Sequence, residues 1–388
     1  MREVFPQLRP VLASGEPFAL ATVFRTDGSA PRPAGASLVV TAGGEVIGSV
    51  SGGCVEAAVH ELCRQALEDG CARTGSFGVS DDDDPFAVGL TCGGTLDVLV
   101  QPFAPADGEL LRRALHAEAH GQAVALASVV AAPGTTGAGT ALLGRWLLVG
   151  EEGAEGSLGA VGLDEAVARG AAQALRAGRD ELLALSGCAD LRHGEVEVFV
   201  EVIAPPPRML VFGAVEPAAA LTRVGKFLGY HVTVCDARGL FATEARFPEA
   251  DEVVVQWPDE YLRGTAVDER TVVCVLTHDA KFDVPLLKEA LRGPAGYVGA
   301  MGSRRTHDDR VARLLAEGLS PGELARLASP IGLDLGARTP QETAVSIAAE
   351  IVAHRRGGSG TRLSRTDGPI HRAGERSPVV LAQAGSRP

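Results

Sequence analysis

The chain is 388 residues long and 46% hydrophobic, which suits two or three domains with cores of their own and excludes a disordered chain. A formal net charge of −13 repels phosphate backbones, so nucleic acid is not an expected partner. The opening MREVFPQLRP is no secretory leader, no apolar run is long enough to span a bilayer, and 7 scattered Cys without a C-x-x-C pair read as reduced thiols of a soluble, cytoplasmic protein rather than as disulfides or a structural zinc site.

The first half reads as an internal repeat. Leu20, Ala21, Thr22 and Val23 return as Leu126, Ala127, Ser128 and Val129, and Gly28 matches Gly134 at the same spacing. Gly48 and Ser49 return as Gly156 and Ser157, Ala58 and Val59 as Ala166 and Val167. Asp97, Val98, Leu99 and Val100, leading to Ala104 and Pro105, return as Glu197, Val198, Phe199 and Val200, leading to Ala204 and Pro205. Each copy, about residues 18–105 and 123–204, is expected to run strand, turn, strand, helix, strand. Together they would pack as one α+β domain over residues 1–204 with pseudo-two-fold symmetry. In the first copy Val55, Ala58, Val59, Leu62, Ala66 and Leu67 fall at helical spacing, and Gly70 is a stop signal. Cys63 shares that stripe and is expected as a buried core thiol. Pro205, Pro206 and Pro207 form a stiff connector at the domain boundary.

The second half alternates apolar runs with helical patterns, the signature of a Rossmann-like, doubly wound parallel sheet over residues 208–356. Strands are expected at residues 209–212, 231–235, 252–256, 271–276 and 297–300, with a helix over about 217–228. A last helix opens at Thr339, Pro340, Gln341 and Glu342, a capping box with proline at the first helical position. From residue 357 to 388 the chain is rich in Gly, Ser, Pro and Arg and is expected to be a mostly disordered tail.

Two segments of the first copy carry candidate chemistry: residues 48–56 (GSVSGGCVE) and 89–94 (GLTCGG). Each sets a Cys against paired glycines, which let a ligand approach and leave backbone N–H groups to face it. Ser51, Gly52, Gly53, Cys54, Cys92 and Gly93 are therefore candidate cofactor contacts, with Cys54 and Cys92 as thiol or metal contacts. Cys54 should stand at a helix N-terminus, where the dipole favours thiolate. Gly162 replaces Cys54 in the second copy, as expected if the cysteine is not there for packing. Arg32, in the turn of residues 28–32 (GSAPR), could clamp an anionic or pterin-like group. Read singly, a cysteine buried in a tight turn and an arginine in solvent fit as well. The acidic run Asp81 to Asp84 reads as a solvated loop.

In the second half, Gly213 keeps only the first glycine of a dinucleotide loop. Val215 stands where glycine would admit a pyrophosphate, and Glu216 repels phosphate, so NAD(P) is disfavoured. Asp236 lies at the usual distance for a ribose-binding acid. Thr277, His278, Ser303, Arg304 and Arg305 fall at the carboxyl edge of the sheet, where such folds hold ligands. Ser303, Arg304 and Arg305 suit an anion, while His278 equally suits a loop histidine bonded to Asp279. Asp334, near the final helix cap, reads as a turn former.

These segments, with residues 301–305 (MGSRR), 330–336 (PIGLDLG) and 339–342 (TPQE), resemble the XdhC/CoxI family over nearly the whole chain. Even the tail residues 357–360 and 368–371 look similar. The resemblance implies an accessory protein for a molybdenum hydroxylase such as xanthine or carbon monoxide dehydrogenase. Such a protein binds the molybdenum–molybdopterin cofactor, in its simple or dinucleotide form, protects it during sulfuration by a cysteine desulfurase, and inserts it into the client. It would act as a maturation chaperone rather than an enzyme. The family usually has Gly-Ala-Gly-His where this chain has Gly213, Ala214, Val215 and Glu216. The alternative is a nucleotide-dependent oxidoreductase using Asp236 and the Rossmann crevice. A homodimer is expected, because a domain of many short strands leaves edges to cover. The cofactor crevice is expected between the Cys54 and Cys92 loops and the strand ends around Thr277 and Ser303.

Overall fold

Strand Phe18–Asp27 (FALATVFRTD) is apolar at six of its first seven positions rather than at alternate ones, because both of its faces are covered. In the computed structural model, which describes residues 1–28, 30–78, 93–104, 107–132, 142–186, 195–367 and 379–381, the chain forms two compact units. One comprises residues 1–205 with 368–388, the other residues 206–367.

In the first unit, helix α1 (Phe5–Ser14) leads into β1 (Phe18–Asp27), β2 (Ser37–Thr41), β3 (Val46–Gly48), α2 (Glu56–Asp69), β4 (Arg73–Phe77) and β5 (Thr95–Phe103). The series then repeats as α3 (Glu109–Ala119), β6 (Val124–Ala131), β7 (Trp146–Gly150), β8 (Gly153–Gly156), α4 (Val161–Ala177), β9 (Glu181–Ser186) and β10 (Glu195–Ile203). The sheet orders match, β3-β2-β1-β5-β4 and β8-β7-β6-β10-β9, so the repeat read in the sequence is a repeat of topology. Each copy is longer than the expected strand, turn, strand, helix, strand: a helix precedes it, and further strands (β3, β4, β8, β9) flank its three central ones. Helix α2 buries Val59, Cys63 and Ala66 on one face of the first sheet, with Ala19, Ala21 and Val23 of β1. The other face, through Phe18 and Leu20, meets α1, α3 and apolar residues of the second sheet such as Leu126 and Trp146. Helix α2 ends at Gly70 and α4 at Gly178, both left-handed C-caps.

Among the described residues of the tail, one short segment is paired. Val379–Leu381 form a strand, β11 in this unit, that pairs in parallel with β9. A three-residue apolar run in a Gly- and Arg-rich context carries no periodic signal, so an edge strand there is invisible until its partner is known.

The second unit is a parallel sheet of β12 (Arg208–Phe212), β13 (His231–Cys235), β14 (Glu252–Val254), β15 (Val272–Val275), β16 (Tyr297–Ala300) and β17 (Leu327–Ala328). Its order is β14-β13-β12-β15-β16-β17, the Rossmann order, with the topological switch between β12 and β15. Helices α5 (Glu216–Phe227) and α6 (Pro340–Arg356) cover one face with Leu221, Ile347 and Ile351. Helices α7 (Pro258–Gly264), α8 (Ala280–Arg292) and α9 (Arg304–Ala316) cover the other with Leu262, Leu286, Leu287 and Leu314. The strand expected over residues 252–256 ends at Val254, and the capping box of Thr339 and Glu342 forms as the sequence proposes. No helix among the described residues is long and apolar enough to cross a membrane.

Candidate functional site

The register of the first sheet gathers one group of candidates at one edge. Asp27, at the end of β1, pairs with Thr95 at the start of β5, and Gly48, at the end of β3, pairs with Leu38 near the start of β2. The 28–36 turn, the loop after Gly48, and Gly93 therefore emerge at the same edge. A Cβ at Gly28 would stand 3.1 Å from Gly94 Cα, so these two turns touch. Arg32, Ser51, Gly52, Gly53, Cys54 and Gly93 all belong to this edge. Cys92, Ser29 and the Asp81 to Asp84 run lie outside the described residues, as do Pro105, Gly134 and residues 368–378 of the tail.

The organiser of the 49–55 loop is Glu56, a residue of the motif to which the sequence assigns no role. Ser49 Oγ donates to Glu56 Oε1 at 2.6 Å, Ser51 N to the same oxygen at 2.9 Å, and Gly53 N to Oε2 at 2.8 Å. Ser51 Oγ also donates to Oε2. Burial pushes the Glu56 carboxyl up, and the bonds from Ser49 and Ser51 more than reverse this, holding it down at about 2. Gly52 and Gly53 take φ of 76° and 120°, which brings the amides round onto the carboxylate at a cost only glycine avoids. The second copy keeps the device: Ser157 Oγ and Leu158 N donate to Asp164, both at 2.7 Å.

This geometry corrects two expectations. The amides of Gly52 and Gly53 do not face outward as donors, since Gly52 N bonds Ser49 Oγ at 2.8 Å and Gly53 N bonds Glu56. Their outer side is open, with nothing within 4 Å of an added Cβ, so they offer close approach instead. Arg32 is not an idle clamp: its guanidinium pairs with Glu3, while its buried Nε has no hydrogen-bond partner among the described residues. Cys54 is half-buried, two residues before α2, and packs against the core under that helix. Cys63 is fully buried, and burial pushes its thiol up to about 12; Cys235 is pushed to a similar value, and Cys274 is raised by the same cause. Iodoacetamide at pH 8 is expected to label Cys54 and the half-buried Cys71 well before these three in the folded protein, with peptide mass spectrometry as the readout.

The second group stands at the carboxyl ends of the parallel strands. A Cβ at Gly213 would lie 2.9 Å from Thr277 N, so only glycine lets the end of β12 approach β15 this closely. Asp236 is 1% exposed and does not present its carboxylate to a ribose. Ala214 N donates to its Oδ2 at 2.7 Å, and Arg238 donates to Oδ1 through N and Nε at 2.9 Å and to Oδ2 through Nη2 at 2.7 Å. Burial raises this carboxyl, but Arg238 and the Ala214 amide outweigh it and leave it lowered. Thr277 donates its hydroxyl to buried Asp283, which pairs with buried Arg310 at 3.0 Å. Arg310 also donates to Met301 O at 2.8 Å and Ser329 Oγ at 3.1 Å, tying together the ends of β15, β16 and β17. Ser303 is spent as the N-cap of α9, accepting from Thr306 N at 3.1 Å. His278, Arg304 and Arg305 are exposed. Asp279 does not bond His278: it caps α8 through Lys281 N and pairs with Lys281 Nζ at 3.1 Å. Arg238, Asp283 and Arg310 were missed. The available signal was positional, since Asp283 and Arg310 share helical stripes with buried Leu287 and Leu314, where a charge calls for a partner.

Known proteins match both units. Residues 11–78 match the model of the XdhC and CoxI family and residues 209–351 that of the XdhC Rossmann domain, together more than half of the chain. The chain is 28% identical over 356 residues to a Bacillus subtilis (strain 168) protein named as a probable xanthine dehydrogenase subunit, covering 90% of this chain and 96% of that one. It is 26% identical over 353 residues to the molybdenum cofactor insertion chaperone PaoD of Escherichia coli (strain K12), covering 89% and 85%. A crystal structure described as a xanthine dehydrogenase from Bacillus halodurans shares the fold with a TM-score of 0.64, over 93% of this chain and 98% of that one, at 24% identity. The paired glycine–cysteine loop, the duplicated first unit and the Rossmann unit thus have one common explanation: the chain belongs to the XdhC and CoxI family.

Proposed function

We propose that the protein binds the molybdenum–molybdopterin cofactor as cargo, shields it while a cysteine desulfurase supplies sulfur, and delivers it to a molybdenum hydroxylase of the xanthine or carbon monoxide dehydrogenase type. The observation that carries this reading is the Glu56-centred loop. It fixes Ser51 to Cys54 in one conformation beside two open glycines, at the edge that also holds Gly93. A thiol held at a set place suits a soft metal or a sulfur atom in transit. The second copy keeps the serine–carboxylate device and drops the cysteine, so the device serves the fold and the cysteine serves the cargo. The relative named as a molybdenum cofactor insertion chaperone supports the same assignment. The oxidoreductase alternative depends on Asp236, and both of its oxygens are taken. A homodimer belongs to the same proposal, and light scattering at micromolar concentration reads it directly.

The test loads full-length protein with molybdenum–molybdopterin, desalts it, and measures retained molybdenum and pterin fluorescence, with NAD(P)H in a parallel sample. Cys54→Ser and Cys92→Ser are expected to stay folded and to lose at least about tenfold in delivery of active cofactor to an apo-hydroxylase, near-isosteric changes being mild for stability. Delivery at the wild-type level by both variants removes the cysteines from the proposal. Retained nicotinamide without pterin reverses the reading.

A further inference from the structure

Residues 2–4 form a short 3-10 turn that touches two loops of the Cys54 edge. Val4 is buried against Gly48, just before the 49–55 loop: a Cβ at Gly48 would collide with Val4 and with Ser37 O. Its neighbour Glu3 pairs with Nη2 of Arg32, in the turn that leads from β1 to β2. That turn is held in its own right, since Gly35 N donates to Val23 O at 2.8 Å and Val23 N to Ala36 O at 2.9 Å. Arg32 thus stands on a fixed base at the edge that carries the Cys54 loop and Gly93.

The Arg32–Glu3 pair uses neither group well. The Glu3 side chain is 74% exposed, and an ion pair with a partner so open to water contributes little to stability. It also fills only half of the guanidinium. Nε and Nη2 stand side by side in that planar group, and an anion with two free oxygens can take both. Glu3 takes Nη2 alone, and the buried Nε has no hydrogen-bond partner among the described residues. A buried donor left unanswered is costly, so the site gains from an anion that answers it. Two further carboxylates of this edge are committed elsewhere, Glu56 to its own loop and Asp27 to Gly28 N at 2.8 Å.

We infer that the Arg32 guanidinium is the subsite for a phosphate monoester, the terminal phosphate of the cargo, and that Glu3 holds its place until the cargo arrives. The inference rests on the cargo reading above. A phosphate presents two oxygens to Nε and Nη2 together, where the carboxylate answers one, and it carries more charge than the carboxylate that it displaces. Glu3 is then released to water, which costs little at an exposed position.

The test titrates full-length protein with molybdopterin and with the same compound after phosphatase treatment. Wild type is expected to bind the dephosphorylated form at least about tenfold more weakly, the scale of a charge-assisted hydrogen bond. Arg32→Gln is expected to lose the same factor for the phosphorylated form and nothing for the other. Glu3→Gln, which removes the competitor, is expected to tighten the phosphorylated form about threefold and to leave the dephosphorylated form unchanged. Equal wild-type binding of the two forms, or a loss of both alike in Arg32→Gln, overturns the inference while leaving the cargo reading intact. Unchanged or weaker binding in Glu3→Gln overturns the part given to Glu3. Binding of neither form by wild type overturns the cargo reading as well.

Discussion

Replacing Arg310 with alanine is expected to lower the stability of the Rossmann unit by about 3–5 kcal/mol, the usual cost of removing one partner of a buried ion pair. Both side chains are nearly sealed, at 4% and 6% exposure, so Asp283 would be left charged with only the Thr277 hydroxyl to answer it. Met301 O and Ser329 Oγ lose a donor in the same step. Urea unfolding followed by the fluorescence of Trp257, which lies in this unit, measures the loss. Asp283→Leu with Arg310→Met is expected to recover part of it, because apolar side chains of similar size replace buried pairs at little cost. A loss below about 1 kcal/mol for Arg310→Ala would show that water reaches the site.

Glu56→Ala is the second large effect. One carboxylate receives donors from Ser49, Ser51 and Gly53, and truncating it leaves those groups unanswered and Gly52 and Gly53 without a reason for their backbone angles. The expected loss is about 2–3 kcal/mol, with cofactor retention down at least about tenfold. Glu56→Gln isolates the charge. A carboxyl moved from 4.5 to about 2 would be worth about 3 kcal/mol if fully sealed; at a half-exposed position solvent screening brings this to about 1–2 kcal/mol. The sign follows from linkage. The folded pKa lies below the unfolded one, so the contribution is complete above pH 4.5 and disappears as pH falls through about 2. Wild type should exceed the glutamine variant in stability at pH 7, and the two should converge as acid is added. A constant gap across that window would assign the effect to packing.

Much of the fold was legible because its signals are local. The stripe of Val55, Val59, Leu62 and Ala66, stopped by Gly70, gave α2 to within a residue, and Thr339 with Glu342 marked the start of α6. Strand β13 fell at His231–Cys235 as read, because an apolar run between turn residues leaves little choice. What stayed hidden depends on partners far along the chain or on backbone angles. Arg310 and Asp283 meet only once two helices pack on one sheet. Glu56 became the centre of its loop only because the turn through Gly52 and Gly53 brings the Gly53 amide onto it beside that of Ser51. Asp236 was found at its expected position but with its chemistry reassigned, since the competing Arg238 is only two residues away and the carboxylate closes on its own turn. The described candidate residues fall into two groups, each at an edge of its own sheet. How each is spent was a matter of hydrogen-bond geometry, to which composition and spacing are blind.

The strand at Val379–Leu381 gives the first unit an unusual birth order. Its partner β9 leaves the ribosome with the first half of the chain, yet the residues that cover its outer edge follow only after the entire Rossmann unit has been made. At 5–20 residues per second that interval is roughly 10–40 s, long for an uncovered strand among neighbouring nascent chains. The Rossmann unit is in effect an insertion in a domain that must wait for it, so slow elongation through residues 206–367 should raise the yield of aggregated chains more than the same delay placed earlier.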